Sequence, residues 1–463
     1  MLYNSTRGAL PALRFSDVLL SGTAPDGGLY VPDYIPQYLE EDLKEFQNFN
    51  YQDLATKILY PFVEDEIDFQ VFGSLVQSSY DSFKGGEVVK LKALSEDISL
   101  LELFHGPTLA FKDVAMQLLV TLLNYFSQRD NKMISVLGAT SGDTGSAAIA
   151  ACSRYENINV FVLYPHGRIT EVQRKQMTTS GSNNVHALAI ETDFDSCQDI
   201  VKALFLDKEI KNIKTKVVAA NSINWTRCMS QSVYFFWSFL KLRSSQEKIS
   251  FSIPSGNFGH AYSGWFAKKM GLPIHRLLIA TNRNDVLHKL LTKNLYAKGE
   301  VYETLAPSMD ISVASNFERL LFNLFDDNPK EVESLMSSFP LIPIQLPDKE
   351  LQIMRNFFIS NSSSDADITN QIRDTFLTNN IIVDPHSATG LRAANEKKRE
   401  DEYIVSMATA HPAKFIDAIN KALPDCELEA VDQLKGINSK EESFTILPND
   451  FSKVKEYILS NIT

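Results

Sequence analysis

Cysteine is scarce in this chain of 463 residues: there are four, Cys152, Cys197, Cys228 and Cys426, widely spaced and without a CxxC pair. That spacing argues against a disulfide framework and against a metal cluster, and it suits a reducing, cytoplasmic setting. Basic residues are also in deficit, with 45 Lys and Arg against 57 Asp and Glu and a net charge of −12. Phosphate backbones are bound by clustered Lys and Arg, so nucleic-acid binding is excluded as the main task, while a local basic pocket for a small anion is not. No apolar run is long enough to span a bilayer, so no membrane partner is expected. The first residues, Met1 to Gly8, lack the basic region and apolar core of a signal peptide. No repeat of fixed period and no low-complexity linker interrupts the chain. What remains is ordinary for a soluble globular protein, 44% hydrophobic and 22% charged, with a length that suggests about two to three domains.

Residues 1 to about 95 mix short helical patterns with turn signals such as Pro25-Asp26-Gly27-Gly28. From about residue 130 the pattern becomes strand, glycine loop, helix, repeatedly. Lys132–Leu137, Asn159–Tyr164, Val185–Ile190 and Lys216–Ala220 read as short apolar strands, and the helix after the first is expected over Ala147 to Ser153. A second series holds Ile249–Ile253, His275–Ala280 and Tyr403–Met407. This alternation predicts parallel sheets covered by helices, an α/β fold. Residues 300 to 380 read as mostly helical, broken by an Asn/Ser/Asp-rich surface loop from Asn361 to Asp367. The mixed charge run Lys397 to Glu402 reads as a solvated helix end.

Three loops carry the residue types of a chemical site. In His105-Gly-Pro-Thr-Leu-Ala-Phe-Lys112-Asp113 a lysine sits among apolar neighbours, with Pro107 and Thr108 as the helix-entry signal and Val114 onward as the helix body. An ammonium there is poorly solvated, which favours the neutral amine. A neutral amine attacks aldehydes, and pyridoxal phosphate is the biological aldehyde that uses such lysines. The plainer alternative is a packed stem with its head in water. Pro254-Ser255-Gly256-Asn257-Phe258-Gly259 lies between a strand and a helix, where free N–H groups and the helix dipole cradle a phosphate. It has no lysine, unlike a nucleotide P-loop. The alternative is a bare tight turn. Gly138-Ala-Thr140-Ser141-Gly142-Asp143-Thr144-Gly145-Ser146 is a second such loop, suited to a substrate carboxylate or phosphate, or else a capped helix start. It lacks the GxGxxG spacing of a dinucleotide fingerprint. After the last strand, Thr409 offers a hydroxyl that could face a heterocycle nitrogen, and His411 is as readily a packed core histidine as a functional one.

Together these segments resemble the threonine synthase family, pyridoxal-phosphate enzymes of fold type II, the tryptophan-synthase-β-like fold. The resemblance runs from Ser5-Thr-Arg-Gly8 and Asp26 to Pro32, through Glu102 to Asp113, Ala139 to Ser146, Gln176 to Thr179, Asn221 to Trp225 and Pro254 to Gly259, to Thr409 to Phe415. One departure is His260, where the family pattern has Asp or Asn. The resemblance implies two parallel-sheet α/β domains plus a mostly helical N-terminal domain. The expected division is 1–95 for the N-terminal part, 96–130 and 245–463 for the large cofactor domain with a C-terminal extension, and 131–244 for the small domain.

It further implies that Lys112 forms the internal aldimine with pyridoxal 5'-phosphate. Ser255, Gly256, Asn257, Phe258 and Gly259 would hold the cofactor phosphate, and Thr409 would face the pyridine nitrogen. Thr140, Ser141, Gly142, Asp143 and Thr144 would bind the substrate's carboxylate side. The substrate phosphate needs cations, for which Arg168, Arg227 and Lys414 are candidates. The implied activity is conversion of O-phospho-L-homoserine and water to L-threonine and phosphate by a monomer or homodimer, without a metal. Its rivals are a phosphate-eliminating lyase that yields a 2-oxo acid and a non-catalytic binding protein of the same fold.

Overall fold

The computed structural model describes residues 1–8, 11–246 and 248–462. Two parallel sheets dominate it, and the expected α/β architecture holds. The larger sheet has the strand order Phe358–Ser362, Leu277–Thr281, Ile249–Pro254, Tyr403–Ala408, Ile98–Glu102, Lys90–Ala93, parallel except for the last pair. The smaller sheet runs Thr445–Leu447, Val185–Ile190, Ile158–Pro165, Ile134–Ala139, Lys216–Ala219 and is parallel throughout. Helices cover both faces of a parallel sheet, so its strands read as unbroken apolar runs. Every residue of Ile158–Pro165 and of Leu277–Thr281 is buried.

The N-terminal part is mostly helical beside a two-stranded antiparallel ribbon, Tyr3–Ser5 with Tyr30–Pro32. Its helices start where side chains serve the free first-turn N–H groups. Asn50 accepts from the Asp53 N–H ahead of helix Tyr51–Leu59, and Asp68 accepts from Gln70 and Val71 ahead of Phe69–Ser79. The first of these buries Leu54, Ala55, Ile58 and Leu59 in a core continuous with the sheets.

Several local expectations need correction. The segment Asn361 to Asp367 is no surface loop. Asn361 and Ser362 end the edge strand, opposite Ala280 and Thr281, and Ser363 is buried. Its polar side chains serve regular elements: the Ser362 hydroxyl donates to the Asn282 carbonyl (3.0 Å), and the exposed Ser364 caps helix Asp365–Asn379. The charge run 397–402 is not wholly solvated either, since Glu402 is buried and takes hydrogen bonds from Arg276 and Ser250. Strand 132–137 lies two residues later, at Ile134–Ala139, and the following helix starts at Asp143, not Ala147. The C-terminal strand Thr445–Leu447 joins the smaller sheet, and helix Phe451–Asn461 packs Val454 and Ile458 into that sheet's core. The last stretch of 245–463 therefore packs with the 131–244 region. Among the described residues no helix is long and apolar enough to cross a membrane.

Candidate active site

Lys112 is the first residue of helix Lys112–Asp130, four residues after the entry read from Pro107 and Thr108. A left-handed Leu109 (φ 60°) intervenes, and Thr108 grips the buried Asp113 carboxylate through its N–H (2.9 Å) and hydroxyl (2.7 Å). The loop is stitched to the far end of the chain. Ala110 bridges Ala410, and the Phe111 N–H donates to the Thr409 carbonyl at 2.8 Å. Lys112 and Thr409 are thereby held on one wall of a cavity of about 1320 Å³.

The 254–259 loop, read from the sequence as a phosphate cradle, forms the next wall. It follows strand Ile249–Pro254 and opens helix Gly259–Lys269, whose first-turn N–H groups have no intrahelical acceptor. Phe258 adopts a left-handed φ of 62°, uncommon for a bulky residue and typical of strained functional turns. A Cβ at Gly256 would lie 3.1 Å from the Met309 Cα, tighter than side chains normally pack. The Ser255 hydroxyl is buried with no partner among the described residues. Asn257 is anchored through its carbonyl, which accepts from the Asn316 N–H at 3.0 Å, and through its side-chain oxygen, which accepts from Ser315 at 3.2 Å. A hydroxyl left unpartnered among the described residues, a glycine where a side chain would be tightly crowded and a helix N-terminus fit a bound phosphate.

The 138–146 loop supplies an ionic centre. Gly142 (φ 129°) leaves room for Gln173, whose carboxamide would meet any Cβ there at 2.3 Å. Asp143 accepts at Oδ2 from Lys112 Nζ (3.0 Å) and Ser308 Oγ (3.2 Å), and at Oδ1 from Gln173 Nε2 (2.9 Å). Lys414 Nζ lies 2.9 Å from the same Oδ1 and donates to the Thr108 carbonyl at 2.7 Å. Burial lowers the proton affinity of the Lys112 amine, and Asp143 offsets part of that. Burial pushes the Asp143 carboxyl up, but Lys112, Lys414 and His386 more than reverse this and hold it well below the usual range.

The other expected residues divide. Thr140 spends its hydroxyl capping its own loop, accepting from the Gly142 and Gly145 N–H groups at 2.9 Å each. Gly142 shapes the turn, while Ser141 and Thr144 line the cavity. Arg227 also lines it: it is buried, its Nε has no partner among the described residues, and burial pushes its guanidinium down to about 10. Arg168 is exposed on the turn after Ile158–Pro165 and is not brought to the cavity. Lys414 is fully buried and already engaged, so it faces no incoming phosphate. His411 accepts from the Ala413 N–H at 3.2 Å and packs edge-on against Phe104.

Sequence reading missed Ser308 and His386. His386 Nε2 accepts from the Ser308 N–H (3.1 Å), and its Nδ1 faces the Asp384 carboxylate (2.8 Å). Ser387 bonds the same carboxylate and accepts the Thr409 N–H at 2.9 Å. Asp384-Pro-His-Ser is a helix-start signature, with an acidic cap and proline at the first helical position. It is the one local signal that could have drawn attention there.

A cradle and a buried lysine on one cavity, at the C-terminal ends of parallel strands, are the mark of a pyridoxal-phosphate enzyme of fold type II. A family model described as pyridoxal-phosphate dependent enzyme matches residues 84–337. Models for the threonine synthase N terminus and the threonine synthase C-terminal region match 2–80 and 387–458. The chain belongs to the threonine synthase family. It is 43% identical over 460 residues to the threonine synthase of Pseudomonas aeruginosa, covering 99% of this chain and 98% of that one. The pyridoxal-phosphate-bound threonine synthase of Brucella melitensis superposes with a TM-score of 0.95 at 42% identity, covering 100% of this chain and 99% of the other. For the yeast enzyme the values are 0.93 and 37%, covering 100% and 98%.

Proposed function

We propose that this chain converts O-phospho-L-homoserine and water to L-threonine and phosphate, with Lys112 as the lysine that carries pyridoxal 5'-phosphate. The observation that carries this reading is the largely buried Lys112 amine, open only toward the same cavity as the 255–259 loop. Ser255, Gly256, Asn257, Phe258 and Gly259 would hold the cofactor phosphate, and the Thr409 hydroxyl would face the ring nitrogen. A neutral hydroxyl has no negative charge to hold a proton on that nitrogen. When bound, the cofactor supplies an electron sink for proton loss beside the substrate amine. The chain's own part is to present the Lys112 amine as proton acceptor, to exclude bulk water and to fix the substrate. Arg227, a buried cation with no carboxylate partner among the described residues, is suited to the substrate phosphate, with Ser141 and Thr144 as polar contacts. The 96–130 and 245–440 stretches would form the cofactor-holding unit. The smaller sheet with the C-terminal strand would form the substrate-side unit. Free cysteines fit a reduced, cytoplasmic setting.

In the overall reaction phosphate leaves from Cγ and the hydroxyl arrives at Cβ from water. Turnover in oxygen-18 water should therefore label the threonine hydroxyl, with phosphate released in equal amount. Borohydride should fix a pyridoxyl group on Lys112 alone, as read by peptide mass spectrometry, and Lys112→Ala should lose turnover. Phosphate release with 2-oxobutyrate and no threonine would instead identify a phospholyase. No phosphate release from cofactor-loaded protein would identify a binding protein.

A further inference from the structure

The ionic centre behind Lys112 has a feature that the contacts assigned to cofactor and substrate leave unexplained. One carboxylate, Asp143, stands between two lysines from opposite ends of the chain. Its Oδ2 meets Lys112 Nζ at 3.0 Å and its Oδ1 meets Lys414 Nζ at 2.9 Å. The two partners differ in access. The Lys414 side chain is 0% exposed and Asp143 4%, whereas Lys112 is 13% exposed, toward the cavity. Lys414 is further fixed by the Thr108 carbonyl, and Asp143 by Gln173 and Ser308. With both oxygens committed, Asp143 has no lone pair directed at a substrate, and its charge would repel an anionic one.

We propose that Asp143 and Lys414 form a permanent ion pair that sets the charge of Lys112, with Lys414 as a positioning residue that acts through Asp143. This rests on Lys112 being the cofactor lysine. A lone buried carboxylate at 3.0 Å would hold the Lys112 ammonium firmly, and an ammonium does not attack an aldehyde. Lys414 neutralises that carboxylate from the other side. Asp143 then orients Lys112 without locking its proton, and still offers a partner when the amine takes a proton during turnover. Other charged or titratable groups face this centre. Arg227 and Lys414 act on Lys112, His386 acts on Asp143, and Asp113, from the lysine's own helix, faces Lys414. Arg227 and Lys414 favour the neutral amine, in the same direction as burial.

The test uses the full-length chain freed of cofactor. Pyridoxal phosphate is added across a pH series, and the rate at which the visible band of the lysine-bound cofactor grows is recorded. Selective acetylation of Lys112, read by mass spectrometry, gives the same midpoint without any turnover. In Lys414→Met the midpoint should rise by about one pH unit, which slows attachment about tenfold at pH below it. Lys414→Arg should restore the parent midpoint, because it restores the charge. Asp143→Asn should move it downward. An unshifted midpoint in a Lys414→Met chain that melts normally would overturn the proposal. If that variant does not fold, an unchanged or raised midpoint in Asp143→Asn overturns it instead. A parent chain that never develops the band, or is modified at another lysine, would overturn the assignment of Lys112 itself.

Discussion

Both ring nitrogens of His260 are buried without a hydrogen-bond partner among the described residues, and the ring stacks on Phe111 at 4.9 Å. Burial pushes this imidazole down to about 3 from a usual value of 6.5. The unfolded chain therefore binds a proton between those values that the folded chain refuses. Stability tied to His260 is present above pH 6.5 and is lost as pH falls toward 3, at about 1.4 kcal/mol per pH unit. Between pH 7 and 5 the parent should lose about 2 kcal/mol more than His260→Leu in denaturant unfolding. Equal losses in the two chains would mean that the ring finds a partner or water. A second residue-scale expectation concerns Gly259, where a Cβ would lie 3.1 Å from the Asn316 carboxamide. Gly259→Leu should weaken pyridoxal-phosphate retention at least tenfold in equilibrium dialysis while the far-ultraviolet spectrum is kept. At this scale the two loops that meet at the cavity, around Lys112 and over 254–259, were legible because each signal lies within a few consecutive residues. The Asp143–Lys414 pair was not, because its halves sit in separate loops and only folding makes them neighbours.

Among elements, strands were easier to read than the polar segments that close them. Val185–Ile190 falls where its apolar run does, since a strand covered on both faces has little else to specify it. The strand Phe358–Ser362 escaped because Asn361, Ser362 and Ser363 have turn-like composition. Tertiary hydrogen bonds supplied by Asn282 and Thr281 override that local preference. Helix Phe317–Leu324 shows the same dependence on distant partners. Its fully buried Arg319 donates to the Tyr30 carbonyl (3.0 Å) and the Ile223 carbonyl (2.6 Å) and also bonds Asn316. It joins the N-terminal ribbon, this helix and the loop before Trp225. Arg319→Met leaves buried carbonyls without donors and should cost about 3 kcal/mol in unfolding free energy. A loss under 1 kcal/mol would show that these elements are held by apolar packing alone.

For the whole molecule, alternating strands and helices made the two-sheet plan readable, but not how the chain divides between the sheets. The C-terminal strand and helix cross back to the smaller sheet, where Val454 and Ile458 join Leu188 and Leu204 in one apolar cluster. Nothing in the composition of that stretch names its destination. Removing residues 441–463 should expose this satellite core. The melting curve should then show an added early transition that the parent lacks, while the larger sheet unfolds as before. A single unshifted transition would mean that the tail contributes little.

The same threading has a consequence for the order in which the protein is made. Lys112 leaves the ribosome about 300 residues before Lys414, and Thr409, whose carbonyl holds the lysine loop, is nearly as late. At roughly 5–20 residues per second that is a delay of about 15–60 s. During it the early half of the molecule has Lys112 and Asp143 but neither the fixed counter-charge nor the Ala410 clasp. With Lys112 as the cofactor lysine and Lys414 as its counter-charge, as proposed above, cofactor capture would fall late in the synthesis of each new polypeptide.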